Sequence, residues 1–434
     1  MKMVDIIARK KSGGCHTQEE TDFLIKGVVD GTIPDYQLSA WLMAVCLKGM
    51  TFDESYMLTR AIVDSGEVID LSALGDVIAD KHSTGGVGDK TTIVLIPLLA
   101  ACGLPIAKLS GRGLGFTGGT IDKLESIEGF RTNLSNDEFI GQVKNIGAAI
   151  ACQTANLAPA DKKLYHLRDV TETVDSISLI AASVVSKKLA AGANVILLDV
   201  KCGSGAFMKT LEDAEELSGT MVEIGKRAGK QISCVITSME QPLGCAVGNG
   251  IEVFESIQTL NNEGPEDLKE LCLYLGAISL LKAGKVKTKE EGKELLTKKL
   301  QDGSAFEKFK EIVKAQNGNP EYLENPEKLI QTQYAFEFVS EESGFISRLD
   351  ALTVAGASKT LGTGREKKDD PIDHKTGILL YKKIGDKINK GENLAKIYSN
   401  SVESGHKARE ILSTAYEISP EKPVCPELII KIID

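Results

Sequence analysis

Residues 77–125 read VIADKHSTGGVGDKTTIVLIPLLAACGLPIAKLSGRGLGFTGGTIDKLE, and this stretch decides the fold. Two short apolar runs, VIAD and PIAKL, each give way to a glycine-rich loop and then to a segment with helical character, KTTIVLIPLLAACG and TIDKLESI. Strand, glycine loop and helix in succession predict an α/β layer. The two units also match chemically. Lys81-His82-Ser83 precede the first loop and Lys108-Leu109-Ser110 the second, while Thr92 and Thr120 open the helices that follow. Each unit offers an ammonium, a hydroxyl, backbone N–H groups and a positive helix N-terminus, the ingredients of an anion site. A helix terminus contributes only ~0.3–1 kcal/mol at an exposed site, so the lysines should dominate. Taken singly, either loop reads equally well as a tight turn packed on its own helix. Side by side, they favour a phosphate.

Other phosphate motifs fit less well. Gly113, Gly115 and Gly118 spell GxGxxG, but a dinucleotide fold wants an acidic residue ~20 positions later at the end of a strand. NLSNDEF, which holds Asp137, reads as a helix start instead. In GGVGDKTT, Asp89 stands where a P-loop has glycine before the lysine, so Lys90 is misplaced for a triphosphate.

Working outward, residues 1–68 predict a small helical unit. TQEE (17–20) and TFDE (51–54) match the capping box, Pro34 begins a third helix, and Gly49 and Gly66 stand where C-terminal glycines are expected. Residues 160–193 turn helical again, so the chain is expected to return to that unit and make a helical domain discontinuous in sequence. NVILLDV and QISCVIT, flanking a helical stretch, resume the α/β domain, assigned to 69–159 and 194–330. Three crossings between the units would form a hinge. Charged amphipathic helices fill 265–317. Residues 331–434 predict a C-terminal, mainly β domain in which YAFEFVS, GFISRLDALTV and HKTGILLYKKIGDKINKGENLAKIYS read as β segments. The stretch GDKINKGENLAKIY is similar to biotinyl/lipoyl-like barrel domains but lacks an acceptor lysine at a hairpin tip, so the tail reads as a barrel-sandwich-like packing module.

Composition narrows the function classes. The chain has 434 residues, enough for two or three domains, with 42% hydrophobic and 26% charged residues. No apolar run reaches the ~18 residues of a membrane span, and the start lacks the long apolar core of a signal peptide, so the expected compartment is the cytoplasm. Nine cysteines without a CxxC pair fit reduced thiols better than disulfides or zinc. A net charge of −10 disfavours nucleic acid, so an anionic ligand needs a local basic cluster.

SGRGLGFTGGTIDKLE and KHSTGGVGDKTT closely resemble the thymidine and pyrimidine-nucleoside phosphorylase family. The resemblance continues through YHLRDVTETVDSISLIAASVVSKKLAAG, LLDVKCGSGAFMK and QPLGCAVGNGIEVFES and covers nearly the whole chain. It implies reversible phosphorolysis: phosphate attacks C1′ of a pyrimidine nucleoside, releasing the base and α-D-ribose or deoxyribose 1-phosphate. Phosphate then falls to Lys81, Ser83, Thr92, Lys108, Ser110 and Thr120, and the base to Arg168, Ser183 and Lys187. The departing base carries negative charge, so Arg168 and Lys187 would stabilise it catalytically, with His82 protonating or hydrogen-bonding the base. Without the family, Arg168 would be read as pairing with Asp169 or Glu172, Lys187 as a solvated neighbour of Lys188, and His82 as structural.

The resemblance also implies no organic cofactor, a homodimer formed through the helical unit, and a potassium ion near Gly88, Lys90, Leu243, Ala246 and Glu255. Two positions depart from it. Phe116 stands where many relatives have histidine, and Lys90 replaces a commoner threonine, bringing an ammonium beside the implied cation. The expected partners are a pyrimidine nucleoside and phosphate, with neither nucleic acid nor membrane. Alternatives at this stage are a phosphorylase restricted to 2′-deoxynucleosides such as thymidine, a phosphoribosyltransferase of related architecture needing pyrophosphate and magnesium, and a nucleoside-binding protein without turnover.

Overall fold

The glycine loops hang from the carboxyl ends of a parallel sheet. In the computed structural model, which describes residues 1–113, 118–154, 156–365 and 370–434, strands β1 (Ala79–Ser83), β2 (Ile106–Ser110), β3 (Ala148–Cys152), β4 (Val195–Cys202) and β5 (Gln231–Ser238) lie in the order β5-β4-β1-β2-β3. All four of these pairings are parallel. The chain leaves β1 for β2 on one side and later returns to β4 on the other, so the switch point lies at β1 and ligand binding is expected at the strand C-termini there. Strand β1 carries Lys81, His82 and Ser83 at its carboxyl end, just ahead of the first glycine loop. The helix Thr91–Ala101 is buried from Thr91 to Ala100, which accounts for TIVLIPLLAA being apolar all round.

The helical unit is built from Met3–Lys11, Gln18–Asp30, Asp35–Lys48 and Phe52–Asp64, joined by Pro159–Asp169 and the start of Ile177–Ala190. Leu38, Trp41, Leu42 and Leu58 from the first set pack with Leu164, Leu167 and Leu179 from the second. Both expected capping boxes are present, at Thr17/Glu20 and Thr51/Glu54. Glu54 does more than cap: its buried carboxylate accepts from His16 N at 2.8 Å and pairs with Lys10 Nζ at 2.6 Å. Gly49 caps its helix at φ 68° as expected. Gly66 serves a different purpose, because a Cβ there would lie 2.3 Å from the Asn156 carbonyl oxygen. It lets two of the three connecting segments touch. Glu67 N donates to Asn156 O at 3.0 Å and Ile69 N to Ala190 O at 2.8 Å, so all three crossings run together as one hydrogen-bonded strap.

Beyond the helices Glu266–Lys282, Lys289–Gln301 and Ser304–Ala315, the tail differs from its expected form in two respects. DALTV begins a helix, Ala351–Ser358, because Asp350 caps it by accepting from Thr353 N at 2.8 Å. The tail is also interleaved with the α/β domain. Strand β6 (Ala246–Gly248) leaves that domain to join β7 (Tyr334–Val339), β9 (Gly377–Leu380) and β11 (Asn393–Ser399) in a sheet ordered β6-β9-β11-β7. A three-stranded sheet holds β8 (Gly344–Leu349), β10 (Lys387–Ile388) and β12 (Tyr416–Ser419), and the last strand, β13 (Ile429–Ile433), pairs antiparallel with β5 at the edge of the main sheet. The segment after residue 330 is therefore tied to the α/β domain through β9 and again through β13.

Candidate active site

At the carboxyl ends of β1 and β2 a cleft of about 310 Å³ opens toward the returning helices. Ser83, Thr92, Lys108, Ser110 and Thr120 line it from the sheet side, and Tyr165, Arg168, Ser183 and Lys187 from the helical side, with His82 among them. Nine of the ten residues expected to hold phosphate, base or protons thus share one cavity, although they come from segments up to a hundred residues apart. The remaining one is Lys81.

Lys81 and Lys108 echo each other in sequence but diverge in space. Lys108 Nζ donates to the Lys81 carbonyl at 2.6 Å and lies 3.8 Å from Asp80, whose carboxylate is engaged by Lys188 at 2.7 Å. Burial and the neighbouring Lys188 hold the Lys108 ammonium well below the usual lysine range, against the pull of Asp80. An arriving anion would pull it back up. Lys81 is instead absent from the cleft wall. Its ammonium donates to Thr91 Oγ1 and lies 3.6 Å from Asp199 and 4.0 Å from Asp89. The cause lies in β4, which is buried along its length and carries Asp199, a carboxylate that must be compensated there; Lys201 at 2.8 Å supplies one cation and Lys81 the second. Burial raises the Asp89 carboxyl, but Lys81, Lys201 and hydrogen bonds from Ser83 and Thr91 outweigh it and hold the group well below the usual carboxylate range.

Arg168 is buried, yet it pairs with neither Asp169 nor Glu172. Its guanidinium donates to the carbonyls of Thr173 (3.0 Å), Leu179 (3.1 Å) and Val174 (2.5 Å), pinning the turn between the two helices. Three of the five N–H groups of an arginine are so used, leaving two for a ligand. Lys187 is a quarter exposed; it reaches Asp161 at 2.8 Å and Ser183 Oγ at 3.2 Å, so the four-residue spacing of Ser183 and Lys187 does place them together. Both cations lie over the Tyr165 ring, at 5.5 and 5.6 Å from its centroid. Lys188 is the buried one of the lysine pair. Tyr165, Asp161 and Gln153 escaped the sequence reading; only the offset of three between Tyr165 and Arg168 in YHLRD gave a sign of the first.

His82 is surrounded by cations. Burial, then Lys188, Lys108, Lys187 and Lys81, push its imidazole well below the ordinary value of 6.5, so it is neutral near pH 7. It can donate one hydrogen bond but holds no spare proton for a leaving base.

The glycine run that opens the second unit approaches a carboxylate. Gly113 N donates to Asp122 Oδ2 at 2.6 Å, and Asp122 also takes Arg112 at 3.0 Å and Arg365 at 2.9 Å. Arg112, though on the cleft wall, is thereby tied down. Gly115 and Phe116 lie outside the described residues.

The implied potassium ligands do assemble, but around a side chain. Lys90 Nζ donates to Leu243 O at 3.0 Å, Ala246 O at 2.8 Å and Glu255 Oε2 at 2.5 Å. Gly88 lies against the same group, since a Cβ there would meet Leu243 O at 2.5 Å. A second cation sharing these oxygens would face an ammonium roughly 4 Å away, a repulsion on the order of 4 kcal/mol at an effective dielectric constant of about 20. The residues present do not fit a potassium ion.

Three family models match the chain: the helical bundle domain of a glycosyl transferase family at residues 4–66, the a/b domain of a glycosyl transferase family at 75–306, and a pyrimidine nucleoside phosphorylase C-terminal domain at 345–419. A pyrimidine-nucleoside phosphorylase of Geobacillus stearothermophilus is 52% identical over 400 residues, 92% of each chain. Those of Staphylococcus haemolyticus and Staphylococcus aureus are each 50% identical over 433 residues, the full length of both chains. Among solved structures, anthranilate phosphoribosyltransferase from Thermus thermophilus matches with a TM-score of 0.59 at 18% identity, covering 71% of this chain and 98% of the other, a likeness of fold alone.

Proposed function

We infer that this chain, which belongs to the pyrimidine-nucleoside phosphorylase family, catalyses the reversible phosphorolysis of pyrimidine nucleosides. Inorganic phosphate is the co-substrate, and the products are the free base and α-D-ribose or deoxyribose 1-phosphate. The observation that carries the reading is the single cleft whose two walls bear cations and hydroxyls of opposite assignment. Phosphate is read onto Ser83, Thr92, Lys108, Ser110 and Thr120, with Lys81 behind them lending charge and holding Asp89. The pyrimidine is read onto Arg168, Ser183 and Lys187. As the bond at C1′ lengthens, negative charge spreads over the base carbonyls, where the two free N–H groups of Arg168 and the Lys187 ammonium stabilise it. His82 donates a hydrogen bond in its neutral form. Holding phosphate and sugar in line across one cleft is positioning catalysis, worth ~7–11 kcal/mol in well-oriented systems.

Uridine, thymidine and deoxyuridine are the proposed substrates. The ultraviolet change on base release, followed for uridine and thymidine with and without phosphate, tests this. Absence of phosphate-dependent release from both rejects the function, and release from thymidine alone narrows it to 2′-deoxynucleosides. A homodimer is read from the exposed row Tyr36, Met43 and Leu47, which share one face of the helix Asp35–Lys48. A reducing compartment, the cytoplasm, is read from nine unpaired cysteines.

A further inference from the structure

We propose that Lys90 is a built-in replacement for a monovalent cation, so that the phosphate loop of this protein assembles without potassium. An ammonium has three N–H donors, and here each has one acceptor: the carbonyls of Leu243 and Ala246 and the carboxylate of Glu255. The side chain is fully buried. The Glu255 carboxylate at 2.5 Å compensates its buried charge. The other oxygen of Glu255 accepts from Cys245 N at 2.8 Å and Ala246 N at 3.0 Å, which fixes the carboxylate against the ammonium. Gly244, at φ 67°, covers the pair; a Cβ there would lie 2.2 Å from Glu255 Oε2 and 3.0 Å from Lys90 Nζ.

The position of this group explains its use. Lys90 sits between Asp89 and the helix start Thr91, and its partners lie in the 243–246 turn, strand β6 and the helix Gly250–Leu260. Lys123 repeats the device from the second unit: it pairs with Glu252 of the same helix at 2.6 Å and donates to Asp89 O at 2.8 Å. Two lysines therefore fasten the end of the glycine loop at Asp89, and with it the helix start at Thr91 and Thr92, to one helix. The charge that a soluble cation would bring is already attached to the chain.

The test compares the wild type with Lys90→Thr in potassium chloride and in choline chloride of equal ionic strength, reading melting temperature and phosphate-dependent base release. The wild type should show the same values in both salts. Lys90→Thr should melt lower in choline and recover in a saturable way as potassium is added, as expected of a ligand that binds only the folded state. A wild type whose melting temperature climbs with potassium overturns the proposal, and so does a folded Lys90→Thr that potassium leaves unchanged. Should Lys90→Thr not fold in choline, its purification and melting in potassium supply the same comparison, and the wild-type titration stands alone. Melting temperature does not depend on substrate identity, so this outcome is separate from that of the assigned reaction.

Discussion

The Lys187 ammonium lies 2.8 Å from the carboxylate of Asp161, a buried residue on the neighbouring helix, and this pair holds the lysine on the helical wall of the cleft. Lys187→Ala should lower kcat by about 100-fold or more, the scale of losing one group that stabilises developing charge, with the KM for phosphate nearly unchanged. Asp161→Asn keeps the shape but removes the carboxylate charge that holds the ammonium in place, so kcat should fall, by less than in Lys187→Ala, with the KM for phosphate nearly unchanged. Initial rates at varied phosphate with both variants decide this; an unchanged kcat in Asp161→Asn would leave Asp161 a packing residue only.

Lys81→Ala has two expected consequences, because its ammonium lies behind the cleft and compensates Asp199 and Asp89. Stability should fall by about 1–3 kcal/mol, the cost of leaving a buried polar partner less satisfied, and less than a full buried-pair loss because Lys201 still holds Asp199. The KM for phosphate should rise while that for the nucleoside stays put. Urea denaturation and initial rates measure the two effects separately, and equal phosphate KM values in variant and wild type would remove Lys81 from the phosphate site.

His82 should make the fold acid-sensitive. Its folded value lies well below the unfolded value of about 6.5, so below that pH the unfolded chain binds a proton that the folded chain refuses. The contribution is complete above the unfolded value and is lost as pH falls through it toward the folded one. His82→Asn should flatten this part of the melting-temperature profile between mildly acidic and neutral pH, and an identical slope in both proteins would contradict the depressed value.

Phosphate binding should take up protons. Lys108 is held below the ordinary lysine range by burial and Lys188, and a dianion beside it would raise that value. In the alkaline range, where free phosphate is already dianionic, calorimetric titrations in buffers of different ionisation enthalpy should reveal a proton uptake that changes with pH. The uptake should vanish in Lys108→Met; its persistence there would assign the proton to another group.

Much of this molecule is legible along the chain because local rules act within a few residues. TQEE and TFDE mark two helix starts, and Ser183 and Lys187 meet because one turn of helix brings them together. The repeat of strand, glycine loop and helix carried the α/β layer, and nearly all residues assigned to phosphate and base line one cleft. Less was legible where a local signal had two meanings. Gly66 looked like a helix cap and is a contact point for another segment, while the apolar letters of DALTV fitted a strand until the Asp350 cap decided for a helix.

By itself the sequence determined which residue types stand at the strand ends, how the helices begin, and hence the kind of anion chemistry available. Where the buried charges go was decided only by the tertiary structure. Lys81 and Lys108 occupy equivalent places in two similar units, yet one faces Asp199 across the sheet and the other the cleft, and Lys90 fills a cage whose oxygens lie more than 150 residues further on. The physical reason is that a buried ammonium must find an acceptor for each N–H and a compensating charge within a few ångströms. Those partners come from distant strands and helices, and no spacing along the chain records them.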